Sequence, residues 1–68
     1  MRKCIKNRLS IIIPTYNEEN NIAVLVTEII YLMKDKDYEI LIVDDGSTDS
    51  TVENIFNHFK DNKNIKIF

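Results

Sequence analysis

Glu39-Ile40-Leu41-Ile42-Val43-Asp44-Asp45-Gly46-Ser47-Thr48-Asp49 is an apolar run that meets two adjacent carboxylates, then the only glycine of the chain, then a Ser/Thr/Asp cluster. A short continuous apolar run rich in branched residues predicts a strand over 39–44, buried on both faces. A carboxylate pair at the C-terminal end of such a strand sits at the mouth of an open parallel sheet, where α/β proteins bind ligands. Taken alone, Asp44, Asp45 and the cluster after them fit a turn and a helix cap equally well. A second, matching strand end earlier in the chain tips the balance towards a ligand site.

That earlier strand is Leu9-Ser10-Ile11-Ile12-Ile13, dominated by β-branched residues and too short for a helix. Pro14 stops it, because proline cannot donate to a ladder. Thr15-Tyr16-Asn17-Glu18 forms a loop, with Asn17 as N-cap candidate for a helix over 18–35. Ile22, Leu25, Val26, Ile29, Ile30 and Met33 repeat at helical period and form one core-facing stripe. Glu18 and Glu19 at the start of that helix, and Lys34 and Lys36 near its end, suit its dipole. After the strand at 39–44, Gly46 permits a left-handed backbone. Ser50-Thr51-Val52-Glu53 has the form of a capping box, and Val52, Ile55, Phe56 and Phe59 predict a second amphipathic helix over 50–60. Ile65-Lys66-Ile67-Phe68 alternates as a third strand. The order β-α-β-α-β implies a parallel sheet with right-handed crossovers and strand order 3-2-1, half of a doubly wound, Rossmann-like α/β fold.

Size and charge narrow the possibilities. A chain near 60 residues buries only ~60% of the surface its unfolded form exposes. The one cysteine, Cys4, excludes an internal disulfide, and the one histidine, His58, reads as a helix residue near the surface. Single-cysteine usage fits a reducing, cytoplasmic setting. A net charge of −2 and a pI near 5.2 argue against a nucleic-acid surface. No apolar run approaches the ~20 residues that span a bilayer. Residues 1–8 form a basic tail without the apolar stretch of a secretory signal, read as a solvated terminus or a weak attraction to an anionic membrane.

Neighbouring parallel strands would place Pro14-Thr15-Tyr16-Asn17-Glu18 beside Asp44-Asp45-Gly46-Ser47. An aromatic face there can stack on a planar base. A carboxylate can accept hydrogen bonds from a base or a ribose hydroxyl. The helix N-terminus offers backbone N–H groups, but Glu18 and Glu19 would repel a phosphate. Neither the glycine-rich fingerprint of nicotinamide sites nor a P-loop follows the first strand. A phosphate-receiver domain is disfavoured as well, since the acidic pair ends the second strand and the third lacks the acceptor aspartate.

Ser10-Ile11-Ile12-Ile13-Pro14-Thr15-Tyr16-Asn17-Glu18-Glu19, followed by Glu39 to Thr51, resembles the N-terminus of a family 2 glycosyltransferase. Within that family it is most similar to the polyprenyl-phosphate sugar transferases, the dolichol-phosphate mannosyltransferase type. The resemblance covers residues 9–68. It implies the first half of a GT-A fold, binding the nucleotide of a UDP- or GDP-linked sugar. Pro14, Tyr16 and Glu18 then line the nucleotide site, and Asp44 and Asp45 contact base and ribose. Thr15, Asn17, Gly46 and Ser47 shape the loops.

Family members are several times longer. They carry a later Asp-x-Asp motif that holds Mg²⁺ or Mn²⁺ on the diphosphate, and a later acidic base. In the family that motif follows the fourth strand, whereas these 68 residues reach only the third. The expectation is a truncated, N-terminal nucleotide-binding portion, inactive by itself, with no metal or catalytic residue of its own. The alternatives are a stand-alone nucleotide-binding module and a non-functional remnant. In the complete fold the first strand pairs with a later one. Left bare, its apolar edge predicts self-association.

Overall fold

The computed structural model describes residues 8–68, and the expectations for Cys4 and most of the basic tail lie outside that range. Five elements alternate: β1 (Leu9–Thr15), α1 (Ile22–Met33), β2 (Tyr38–Asp44), α2 (Thr51–Phe59) and β3 (Ile65–Ile67). The strands form one parallel sheet in the order β1-β2-β3, the expected 3-2-1 arrangement read from its other edge. Ile11 pairs with Ile40, Ile13 with Ile42, Pro14 with Val43 and Thr15 with Asp44, so Pro14 does not stop β1, which runs on to Thr15 and ends level with β2. β3 pairs through Ile65 and Ile67 and is one residue shorter than predicted.

Both crossovers step in the same direction across the sheet. Right-handed connections therefore put both helices on one face. Ile13, Ile40 and Ile42 meet Ile22 and Val26 of α1 and Ile55 of α2 in the core, with Tyr38 closing the end. Fully burying an aliphatic side chain of this size contributes ~1.5–3 kcal/mol. The expectation that β2 is buried on both faces is not met. Its side chains alternate, with Tyr38, Ile40 and Ile42 inside and Val43 exposed. Ile12 of β1, 64% exposed, lies beside Leu41 on the same uncovered face.

Both helical stripes are narrower than the sequence pattern suggested. Leu25 of α1 and Val52 and Phe56 of α2 are exposed, although their spacing placed them with the core. The sheet is three strands wide and each helix reaches it with only two fully buried positions. A periodic apolar stripe states what could be buried, not how much partner surface is there to bury it.

Helix boundaries also move. α1 begins at Ile22, not at Glu18, and Asn17 is not its N-cap. Asn17 takes a positive φ of 52°, and Asn21 occupies the cap position without a side-chain hydrogen bond. The amides of Asn21 and Ile22 both reach the carbonyl of Glu18, at 2.9 Å each, so residues 18–21 form a turn ahead of the helix. Glu18 and Glu19 therefore precede the first turn, and Lys34 and Lys36 follow the last. α2 starts at Thr51 after Ser50, but the Ser50 side chain makes no capping bond.

Candidate functional site

The two loops that leave β1 and β2 meet at the C-terminal edge of the sheet because the strands end level. The amide of Asp45 donates to the carbonyl of Thr15 at 2.9 Å, which carries the ladder one step past the strands. Gly46 then turns with a φ of 78°, the left-handed geometry anticipated for it. Among the site candidates, Pro14 is on β1 and exposed, Tyr16 and Glu18 are in the first loop, Asp44 ends β2, and Asp45 opens the second loop.

The two aspartates differ in what surrounds them. Asp44 accepts from the Thr15 hydroxyl at 2.7 Å, the Ser47 hydroxyl at 2.6 Å and the Ser47 amide at 2.8 Å. The Ser47 hydroxyl, the Ser47 amide and the Thr15 hydroxyl hold its carboxyl below the usual carboxylate range, against a smaller opposing effect of desolvation. Asp44 is thus a loop anchor. The Asp45 side chain is exposed and has no hydrogen-bond partner among the described residues. The same holds for the side chains of Tyr16, 56% exposed, and Glu18. One aromatic ring and two carboxylates therefore remain available at this edge.

A further set of side chains, which sequence reasoning left as turn and cap residues, sews the two loops together. The Asn17 amide donates to the Ser47 hydroxyl at 2.8 Å, and the Asn17 side-chain oxygen accepts from the Thr48 amide at 2.9 Å. The Glu18 amide donates to the Thr51 hydroxyl at 2.7 Å, and the Glu19 amide to Asp49 at 3.3 Å. Glu19 in turn accepts from the Ser50 amide at 2.8 Å through its carboxylate, and from the Asn54 side chain at 3.1 Å through its carbonyl. Burial opposes ionisation of Asp49, but hydrogen bonds from the Thr51 hydroxyl and amide and the Glu19 amide outweigh it and lower its pKa. The backbone amides of Glu18 and Glu19 are thus occupied by Thr51 and Asp49.

Among the described residues no three His, Cys, Asp or Glu side chains converge as metal ligands. The Asp44 carboxylate accepts from Thr15 and Ser47. No helix among the described residues is long and apolar enough to cross a membrane.

Comparison with known proteins adds to this geometry. A family model described as glycosyl transferase family 2 matches residues 10–68. Dolichyl-phosphate beta-glucosyltransferase of Saccharomyces cerevisiae is 48% identical over 48 residues, covering 66% of this chain and 14% of that protein. An uncharacterized glycosyltransferase of Synechocystis sp. is 39% identical over 61 residues, covering 87% of this chain and 19% of that protein. Dolichol-phosphate mannosyltransferase of Pyrococcus furiosus is 46% identical over 46 residues, covering 68% of this chain and 13% of that protein. The chain spans less than a fifth of the length of these three relatives.

Proposed function

The chain belongs to glycosyl transferase family 2, and from that membership we propose that residues 9–68 form the nucleotide-sugar-binding portion of a sugar transferase. The donor is a UDP- or GDP-linked sugar. The acceptor class is a polyprenyl phosphate, a reading supported by the dolichyl-phosphate glucosyltransferase and dolichol-phosphate mannosyltransferase among the relatives. The observation that carries the proposal is the exposed trio of Tyr16, Glu18 and Asp45, unpartnered among the described residues, at the level ends of β1 and β2.

In this reading the Tyr16 ring stacks on the base, and Asp45 accepts from base N–H or ribose hydroxyl groups. Glu18 and Pro14 line the same crevice, and Asp44 acts through the Ser47 loop that it anchors. Mg²⁺ or Mn²⁺ on the diphosphate would have to come with ligands other than the described residues. The 68 residues alone bind without turnover, and sugar transfer by the purified chain would overturn that statement.

Titration of the chain with UDP and GDP, followed by NMR, tests the site. Binding at a Kd of about 1 mM, worth ~4 kcal/mol, should shift the signals of Tyr16, Glu18 and Asp45. No shift at these residues with either nucleotide, at concentrations well above that value, overturns the assignment.

A further inference from the structure

We propose that Thr51, through its buried hydroxyl, is the positioning residue that sets the first loop for nucleotide binding, an inference that rests on the nucleotide reading above. Thr51 opens α2 and is fully buried, an unusual place for a polar side chain unless its hydrogen bonds are made. Its hydroxyl does two things at once. It accepts from the Glu18 amide at 2.7 Å, and it donates to the Asp49 carboxylate. Asp49 also holds the Thr51 amide at 2.9 Å and the Glu19 amide at 3.3 Å.

The consequence lies in the first loop. Tyr16 and Glu18 are exposed and their side chains have no partner among the described residues, so nothing but the backbone fixes where they stand. The loop is tied at Asn17 by exposed bonds, from its backbone amide to the Ser47 hydroxyl and from the Thr48 amide to its side-chain oxygen. At Glu18 it is tied to the hydroxyl of Thr51, which is out of water. An exposed hydrogen bond exchanges freely with solvent, whereas a buried one leaves an unpaired group when broken. The Thr51 hydroxyl is therefore the fixed point of the loop, and Asp49 orients that hydroxyl by accepting its proton. Thr51 touches no ligand itself.

Two variants of the full chain separate this role from packing. Thr51→Ser keeps the hydroxyl and loses a methyl group. Thr51→Val keeps the shape and loses the hydroxyl. Two quantities are read for each: hydrogen exchange at the Glu18 amide without ligand, and affinity for UDP and GDP. Thr51→Val should speed Glu18 exchange and weaken nucleotide binding about tenfold, the loss of one hydrogen bond, while Thr51→Ser stays within about twofold of the wild type. Should Thr51→Val fail to fold by circular dichroism, Thr51→Ala, which differs from Thr51→Ser by the hydroxyl alone, carries the same test, with faster Glu18 exchange and weaker binding than in Thr51→Ser expected.

Unchanged affinity in Thr51→Val, or equal losses in the Ser and Val variants, overturns the proposal. Absence of saturable binding in the wild type overturns the nucleotide reading instead. In that case Glu18 exchange still decides whether the hydroxyl fixes the loop: an unchanged rate in Thr51→Val overturns it.

Discussion

Adjacent carboxylates with the same side chain have different surroundings here, and substitution should separate them. Asp45→Ala should weaken UDP or GDP binding at least tenfold and leave the thermal midpoint in place, because the side chain it removes has no partner among the described residues. Asp44→Ala should lower the midpoint by several degrees, because it strands the Thr15 hydroxyl and both Ser47 donors. Tyr16→Ala should lose ~1–3 kcal/mol of nucleotide affinity, the usual worth of a base stacked on an aromatic ring. Gly46→Ala should cost ~1–2 kcal/mol in denaturant unfolding. Nothing lies within 4 Å of the added Cβ, so the cost is that of the left-handed backbone alone. The residue types at this edge were legible in the sequence, as was the left-handed turn at Gly46. The contrast between a bonded Asp44 and an exposed Asp45 was not. It depends on Thr15 and Ser47 converging on one carboxylate from two separate strand ends, and a pattern along one strand carries no record of that.

At the level of strands and helices, element type and order were readable because the apolar periods differ cleanly between 9–15, 38–44 and the two helices. The start of α1 was not, for a specific reason. Residues 17–21 are Asn-Glu-Glu-Asn-Asn, a run with several plausible caps. The choice is made by Thr51, Asp49 and Ser47, which take the backbone donors of 17–19 and leave the helix to begin afterwards. The uncovered face of β1 and β2 was missed because a continuous apolar run does not say how many helices are present to cover it. That face gives a prediction: Ile12→Lys should leave circular dichroism unchanged, since Ile12 is 64% exposed, while reducing concentration-dependent association measured by sedimentation.

For the whole molecule, acid should act through the carboxylates. Asp44, Asp49 and Glu39 all have pKa values lowered by folding. In Glu39 the main cause is the Ser10 hydroxyl. Such groups contribute stability above their unfolded values, near pH 4, and lose it as pH falls through the lower folded values. Thermal midpoints should therefore be level from pH 7 to about pH 5 and decline steadily below about pH 4. A midpoint that rises on acidification would contradict these hydrogen bonds. The core is small, so Ile55→Ala, costing ~2–5 kcal/mol, should unfold most of the chain at room temperature. The bonds between the loops also bear on how this edge of the sheet can be altered. Asn17 is matched to Ser47 and Thr48, and Glu19 to Asp49, Ser50 and Asn54. Each loop is the other's template, so a loop transplanted singly from a relative would arrive without its counterpart, and this edge would have to be exchanged as a matched pair of segments.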